Sequence, residues 1–496
     1  MLVSLSLLQH IGMVKLFVKI HKVLGMLLSI LFCVWFLSGM VLVFVGFPHY
    51  SQTEAFRSLA AVDSSAARSL LFPAELGKGT ITLEMQEGRA VYRVGKMART
   101  AKTYYADSLT KVAKPTRKDC IAAAQRVVSA DTARVTEIST LDIWLPWEQY
   151  QSSLPIYKVY FADKDRSVVY VAAKSGTIVQ LTTRSERFWA LVGAIPHYII
   201  FKYLSINHPF WNSLLLALLV LGAVMCLCGV VVGIIRMRRG SRGFSSPYTK
   251  AWIRWHHVVG FYFGIFTLTF CLSAYISVAG VPSWIAKSDE SVDYQKEWNQ
   301  PKVKRDAYRQ SFPALQGLLA SRGDVKRVVF ASSLGKPCYQ LFSKGTYEPE
   351  VFLIKGDSVA PLEGYKVADV VGYAKKVFGY VPQRRELLQK FDNYYQLTRM
   401  GARPLPVLKM ELTDANRSWV YVSTQTGELV TVYDASRRAE RWLYRALHTF
   451  NIQWLKEHEW LRKTLLLLVC LSGLVVSVSG AVLTSKWVKR KVERYM

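Results

Sequence analysis

The chain has 496 residues, 51% of them hydrophobic, and a formal net charge of +29 at pH 7. This size allows several domains, and the apolar share predicts a few membrane spans joined to substantial water-soluble mass rather than a purely soluble protein. The positive charge would suit a nucleic-acid partner. Much of it borders apolar runs, however, where membrane topology explains it, so we expect no nucleic acid to bind.

Four apolar runs are long enough to cross a bilayer, which needs about 20 mainly apolar residues in a helix. They are Val23–Phe47, Trp211–Ile235, Val258–Val281 and Thr464–Trp487. The first run exceeds a usual signal-peptide core, and no small-residue cleavage site follows it. We therefore interpret it as a retained span.

Basic residues lie at one end of every run: Lys15, Lys19 and Lys22; Arg236, Arg238, Arg239, Arg242, Lys250 and Arg254; Lys486, Lys489, Arg490, Lys491 and Arg494. Because cytoplasmic loops are enriched in Lys and Arg, this pattern places both termini in the cytoplasm, with membrane lipid around the spans. The predicted organisation is an N-terminal segment with the first span (1–47), a first outer domain (48–210), the second span (211–235), a basic cytoplasmic loop (236–257), the third span (258–281), a second outer domain (282–463), and the fourth span with a basic tail (464–496).

Both outer segments have the pattern of a helix followed by a small antiparallel sheet. The predicted helices are Asp119–Ser129 and Val367–Phe378, and the predicted strands are Arg134–Leu141, Ile156–Ala162, Ser167–Ala173, Val407–Thr413 and Ser418–Thr424. The expected fold class is therefore a membrane α-helical protein, a four-helix transmembrane bundle with two extracytoplasmic α+β domains.

The two halves of the chain resemble each other, which predicts an internal two-fold repeat. His21 to Gly25 matches His256 to Gly260, and Ser38 and Ser273 each lie 17 residues beyond the aligned histidine. Val169–Thr177 matches Val420–Glu428 in kind. Glu186-Arg187 and Glu440-Arg441 then open helical segments that lead to His197 and His448. Each copy is predicted to run helix, outer domain, helix, in the same orientation.

Four histidines gain a predicted role from this repeat. His21 and His256 mark the cytoplasmic ends of the first and third spans, and His197 and His448 precede the second and fourth spans on the outer side. Helix bundles build cofactor sites from side chains on facing helices, and neutral imidazole is a good axial ligand for haem iron. The pattern predicts one or two haem b groups, each with its iron between two histidines.

Other interpretations of the histidines are possible from the sequence. A histidine at a helix end often caps carbonyl groups or lies in the headgroup region, and His257, His208 and His458 are alternative ligands. His257 follows His256 by about 100° of helix rotation, so both are not expected to face one iron. His208 and His458 lie closer to the apolar runs and are interpreted as interfacial. His197 reaches a haem only if its helix is extended or re-enters the membrane.

Several of these segments resemble the PepSY-associated transmembrane family of bacterial inner-membrane proteins. The matching motifs are His21 to Gly25, Gly193-Ala194-Ile195-Pro196-His197-Tyr198, Arg254-Trp255-His256-His257-Val258-Val259-Gly260 and Arg441-Trp442-Leu443-Tyr444-Arg445-Ala446-Leu447-His448. The resemblance covers nearly the whole chain. Two departures are Tyr198, where a Trp is common, and Ala274-Tyr275, where a Ser-Gly pair is more usual.

The resemblance implies a bacterial inner-membrane protein linked to iron uptake. Some members of this family act as haem-containing reductases of ferric siderophores in the periplasm. The resemblance also implies that the outer α+β domains are PepSY-like modules, a type otherwise associated with peptidase inhibition.

Two functions from different classes follow as hypotheses. The first is a transmembrane haem b oxidoreductase that takes electrons from a quinol or a cytoplasmic donor. It would reduce a periplasmic acceptor such as a ferric chelate. The second is a non-enzymatic membrane module that binds or restrains a peptidase or envelope component, which needs the outer domains but not the four histidines. A transporter is less favoured, because the four apolar runs hold no acidic residue and no Pro break.

Overall fold

The computed structural model describes residues 2–77, 79–95, 101–201, 204, 207–241, 243–288, 292–299, 303–345, 349–379, 381–397 and 403–494, with the backbone alone for residues 2–11. Arg242 of the predicted basic loop lies outside this set. The chain divides into two compact units. The helical unit comprises Met1–Pro48, Ser185–Ala286 and Arg437–Met496, and the sheet unit comprises His49–Arg184 and Lys287–Ser436.

Four helices of the helical unit are long and apolar enough to span a membrane, which confirms the predicted spans. We call them spans 1 to 4: Gly12–Leu42, His208–Arg236, Ala251–Ala279 and Glu459–Val492. Span 1 belongs to a longer helix, Leu2–Leu42. Each helix begins before its apolar run, because polar residues continue the helix at the bilayer edges. The chain is thus a multi-pass membrane protein.

Shorter helices flank the spans, and two of them begin at residues of the sheet unit, Arg184 and Ala435. The shorter helices are Arg184–Val192, Ala194–Tyr198, Ala435–Glu440, the π-helical turn Arg441–Ala446, Leu447–Thr449 and Gln453–Glu457.

Small residues let the spans approach closely, as is usual between membrane helices. The Cα of Gly222 in span 2 lies against the ring of Phe32, where an added Cβ would be 2.9 Å from the ring edge. Gly473 in span 4 abuts Phe36 in the same way. The buried core of the spans consists of Leu28, Phe32, Phe36, Met225, Cys226, Leu268, Cys271 and Cys470.

The strands, in chain order, are β1 (Ile81–Gln86), β2 (Arg89–Val94), β3 (Lys102–Tyr105), β4 (Thr132–Ile138), β5 (Ile156–Phe161), β6 (Val168–Ala172), β7 (Ile178–Thr182), β8 (Arg238–Gly240), β9 (Gly243–Ser245), β10 (Arg327–Ser333), β11 (Lys336–Phe342), β12 (Glu350–Lys355), β13 (Ser358–Pro361), β14 (Arg384–Leu388), β15 (Val407–Glu411), β16 (Trp419–Ser423) and β17 (Leu429–Tyr433). The helices of the sheet unit are Gln52–Arg57, Ser64–Ser69, Arg117–Gln125, Tyr294–Trp298, Phe312–Ser321 and Val367–Phe378, with 3₁₀ turns at Glu148–Ser153 and Arg305–Tyr308.

Two four-stranded antiparallel sheets follow the predicted helices, in the orders β4-β5-β6-β7 and β14-β15-β16-β17. β6 is buried along its whole length. One of its faces packs on the helix Arg117–Gln125 through Val169 and Val171. Its other face packs on a loop core through Val168 and Tyr170. Burial on both faces explains why this strand is a continuous apolar run.

The hairpin turns of these two sheets have the same hydrogen bonds. The Asp163 carboxylate accepts from the backbone N–H and the hydroxyl of Ser167 at 2.7 and 2.6 Å. Asp414 accepts from the same two groups of Ser418, both at 2.7 Å. The equivalent positions are 251 residues apart.

A seven-stranded sheet, in the order β13-β12-β11-β10-β1-β2-β3, combines strands from the two segments that were predicted as separate outer domains. β1 pairs antiparallel with β10, which places Ile81 opposite Phe330 and Glu84 opposite Arg327. The two segments therefore form one compact unit with a shared sheet. Residues 185–210 and 437–463, which the sequence analysis assigned to the outer domains, belong to the helical unit.

Candidate functional site

His21 and His256 face each other in the helical unit, near the starts of spans 1 and 3. Their ring centroids are 5.9 Å apart, with the ring planes inclined by 50°. We call them the basic-end pair, because the basic clusters lie at this end of the spans. The Nδ1 atom of His21 lies 2.9 Å from the carbonyl oxygen of Met225. The Nδ1 atom of His256 lies 3.1 Å from the carbonyl oxygen of Val476.

His197 and His448 form a second facing pair, the far-end pair, with ring centroids 6.2 Å apart. The helix that precedes span 2 is interrupted at Gly193, and the short helix Ala194–Tyr198 carries His197 against span 1. His448 follows a π-helical turn, a feature often found at functional sites. Both segments then leave the helix through a left-handed residue, Ile199 or Phe450.

The Nδ1 atoms of the far-end pair also have partners on the spans. His197 Nδ1 lies 3.2 Å from the carbonyl oxygen of Trp35 and 3.1 Å from the hydroxyl of Ser38. His448 Nδ1 lies 3.0 Å from the hydroxyl of Ser273. All four histidines therefore use the same ring nitrogen to contact a neighbouring span.

The carbonyl contacts of His21, His197 and His256 indicate that Nδ1 carries the proton, because a carbonyl oxygen can only accept, and the serine contacts agree with this assignment. Ser38 donates its own hydroxyl hydrogen to the carbonyl of Val34 at 2.6 Å, and Ser273 donates to Phe270 at 3.1 Å. Ser479, whose oxygen lies 3.0 Å from His256 Nδ1, donates to Val476 at 2.8 Å. Each serine oxygen is then an acceptor, so the imidazole Nδ1–H donates. The Nε2 atom keeps its lone pair, as in a metal-ligating histidine with an oriented second nitrogen.

The spacing of both pairs fits one metal ion between two imidazoles. With a metal–nitrogen bond of about 2.0 Å on each side, the two ring centroids would be about 6 Å apart. The measured separations are 5.9 and 6.2 Å. Within the described residues, no hydrogen-bond partner is recorded for the Nε2 atom of any of the four histidines, which leaves that atom available as a ligand.

The donor set fits haem better than a protein-only metal site. No group of three or more His, Cys, Asp and Glu side chains able to hold a metal ion is found in the part of the chain that the structure describes. Zinc sites use three or four protein ligands, whereas haem iron already has four ring nitrogens and takes one or two axial ligands from the protein. If haem were bound, the two facing imidazoles of each pair would meet this requirement.

A cavity of about 980 Å³ surrounds the basic-end pair. This volume is at the upper end of the usual range for small-molecule and cofactor sites. Its wall is largely apolar, and it includes the glycine backbones of Gly25, Gly229, Gly260 and Gly480. Among the described residues, five cations and no acidic side chain line it; the cations are Lys22, Arg236, Lys250, Lys486 and Arg490.

The three alternative histidines have other surroundings. His257 is buried, with Nδ1 2.8 Å from the Ser246 hydroxyl and Nε2 3.1 Å from the Gly233 carbonyl oxygen, so both nitrogens are engaged. His208 packs edge-on against Trp211 at the start of span 2. His458 contacts the ring of Trp454 and the carbonyl of the same residue. No ring contact between His208 and His458 is recorded among the described residues.

Sequence reasoning missed the small residues that hold the rings. An added Cβ at Gly229 would lie 2.6 Å from His21 Cε1, so only glycine leaves room for that ring. Gly480 lies against His256 and Gly39 against His197, with more space. Small residues in a membrane span signal a close approach. A signal was present in the 251-residue spacing of Gly229 and Gly480, the same as that of His197 and His448.

The family model described as the PepSY-associated TM region matches residues 18–490. No curated protein matches the chain.

Proposed function

The chain belongs to the PepSY-associated TM region family, and from that premise we propose that it is a transmembrane haem b oxidoreductase that delivers electrons to an acceptor outside the membrane. The observation that carries the proposal is the presence of two histidine pairs. The ring centroids are 5.9 Å apart in the basic-end pair and 6.2 Å apart in the far-end pair, and the Nδ1 atoms of both pairs contact the spans. Haem b, when bound, supplies reversible one-electron chemistry at its iron.

The protein's part in this proposal is to bind and orient. His21 and His256 offer neutral Nε2 atoms at the basic end, and His197 and His448 offer them at the far end. Ser38 and His21 lie on the same span, 17 residues apart, which is about 25 Å along a helix. Two sites at this separation would serve the two sides of one bilayer, whose hydrocarbon core is about 30 Å thick.

Matched contacts support the proposed two-fold repeat. His21 contacts the carbonyl of Met225 and His256 that of Val476, and these two carbonyls are 251 residues apart. The serines at the far-end pair, Ser38 and Ser273, are 235 residues apart, as are His21 and His256. Because these contacts recur at constant spacings, they support the origin of the two halves of the chain from one ancestral half.

The proposed location is a bacterial inner membrane, with both termini in the cytoplasm and the sheet unit in the periplasm. Its support is the charge pattern, because the cations that follow span 2 and span 4 lie at the end where span 1 begins. The proposed acceptor is a ferric chelate, for which a basic protein is electrostatically suited. The proposed donor is a quinol or a cytoplasmic reductant.

The test of this function is single-turnover reduction of a ferric chelate. The purified chain is loaded with haem, reduced with limiting dithionite, and mixed with a ferric hydroxamate or catecholate complex. We expect the Soret band to return to its oxidised position as a chromogenic Fe(II) chelator traps one Fe(II) per electron. The gallium(III) complex of the same chelator, which cannot be reduced under these conditions, is the matched control. An equal return with gallium would contradict ferric reduction.

The alternative function, a membrane module that binds or restrains a peptidase or envelope component, is favoured by one observation. The sheet unit has its own buried cores and two four-stranded sheets, and it contains none of the four paired histidines. Replacing His197 and His448 with Ala separates the two functions. A binding module keeps its effect on the partner after this change, whereas the oxidoreductase loses ferric reduction.

A further inference from the structure

The cavity at the basic-end pair has an uneven charge distribution. Each of the four spans or its cap contributes at least one of its five cations: Lys22, Arg236, Lys250 at the cap of span 3, and Lys486 with Arg490. No acidic side chain lines the cavity in the part of the chain that the structure describes. A ligand with an apolar body and two carboxylates would therefore find uncompensated positive charge at only one edge.

Two aromatic rings hold part of this edge in place. Lys22 Nζ lies 4.9 Å from the centroid of the Trp487 ring, and Lys486 Nζ lies 6.0 Å from that of Trp252. Both rings also line the cavity. Cation–π contacts of this kind keep an ammonium group close to an apolar wall while leaving its hydrogens free to donate.

Arg236 is placed by the helix on the same face as the glycine that touches His21. Gly229 and Arg236 are seven residues apart in span 2, which is about two turns and about 10 Å along the axis. No hydrogen bond or ion pair of the Arg236 side chain is recorded among the described residues. Its guanidinium group is therefore available to a bidentate carboxylate partner.

We propose that these cations bind the two carboxylates of the haem, so that the macrocycle enters the basic-end cavity with its carboxylate edge toward the basic end of the spans. This inference rests on the proposed function and adds the orientation of the ligand and the residues that select it. The ordinary explanation of basic span ends is membrane topology. It accounts equally for cations that line the cavity and for cations that do not, so the two groups can be compared.

The experiment uses two macrocycles and two charge-matched double variants. All proteins carry His197→Ala, which leaves the basic-end pair as the site that is titrated. Arg236→Gln with Lys486→Gln removes two cations that line the cavity. Arg254→Gln with Lys489→Gln removes two from the same ends of the bundle that do not line it. Each apoprotein, in nanodiscs of zwitterionic lipid, is titrated with ferric haem b and with its dimethyl ester, and binding is followed at the Soret band.

The expected result is a preference for haem b over its ester that falls by about two- to fivefold for each cavity cation removed, the range for partly exposed ion pairs. The control variant should keep the original preference, and the reduction potential should fall in the cavity variant alone. An unchanged preference in the cavity variant, or an equal loss in the control, would overturn the inference. So would a loss of the preference when anionic lipid is added, since the cations would then bind headgroups. If neither macrocycle binds to any variant, the proposed function itself fails.

Discussion

Replacing Gly229 with Ala tests the histidine geometry most sharply, because it adds one methyl group against one ring. The new Cβ would lie 2.6 Å from His21 Cε1 and 2.8 Å from Nδ1. Ordinary contact between carbon atoms is close to 4 Å, so the ring must retreat by about 1 Å. That movement lengthens the bond from Nδ1 to the Met225 carbonyl, now 2.9 Å, beyond a useful hydrogen bond.

Loss of such an orienting contact typically lowers metal affinity by about 10- to 100-fold. Alanine favours a helix over glycine by about 0.5–1 kcal/mol, so the variant should resist unfolding as well as the parent chain. We therefore expect weaker haem binding at the basic-end pair without loss of fold. Soret titration of the apoprotein measures the first quantity, and thermal unfolding followed by circular dichroism measures the second.

Two matched glycines serve as controls. An added Cβ at Gly39 would lie 3.4 Å from His197 Cε1, an ordinary contact, and at Gly12 it would meet no atom within 4 Å. Both Ala variants should bind haem nearly as the parent chain does. If Gly229→Ala binds two haems with unchanged affinity, the placement of His21 as a ligand is refuted.

The remaining predictions concern contacts at other places in the two units. Ser38→Ala and Ser273→Ala each remove a hydroxyl that accepts from a far-end histidine. In a Soret titration, haem affinity at the far-end pair should fall by about tenfold, and affinity at the basic-end pair should not change. Glu84→Gln breaks a buried carboxylate's ion pairs with two arginines; denaturant unfolding should show a loss of about 3 kcal/mol. Arg322 holds the pKa of the Glu350 carboxyl below its ordinary value. That stabilisation is present above the ordinary carboxyl pKa and is lost as pH falls through the lowered one, so Arg322→Gln should reduce the melting temperature at pH 7 and leave it unchanged at about pH 2. An equal loss at both pH values would contradict this.

Local patterns predicted the parts of the fold that depend on local chemistry. The helix Val367–Phe378 has the predicted bounds, because its periodic apolar face ends at Gly379, a left-handed cap. The strands Ile156–Phe161 and Trp419–Ser423 lie within their predicted ranges. The four spans follow from apolar length alone, and only their ends differ.

The seven-stranded sheet was not predicted, and its topology explains why. β1 and β10 are hydrogen-bonded neighbours, yet Ile81 and Phe330 are separated by most of the chain. Apolar alternation identifies a strand but not a distant partner. The prediction of two separate outer domains was based on the continuity of each segment in the sequence. The shared sheet shows that the two segments pack as one unit.

The sequence predicted which four histidines form the candidate site, but not the groups that hold their rings. The predicted repeat singled out His21, His256, His197 and His448, and the structure brings them together as two pairs. The sequence did not predict that Gly193 interrupts the helix and that His197 therefore contacts span 1. Nor did it indicate which ring nitrogen is held, because that depends on carbonyl and hydroxyl groups of other spans.

The most direct measurement of the central claim is the amount of haem per chain by pyridine haemochrome assay of the purified protein. We expect two haems in the parent chain, one in His21→Ala, one in His197→Ala, and none in the double variant. The matched control is His257→Ala, whose histidine has both nitrogens engaged by Ser246 and Gly233, and it should retain two. A parent chain without haem after expression with adequate haem, or single variants that keep the full amount, would contradict haem binding by the two histidine pairs.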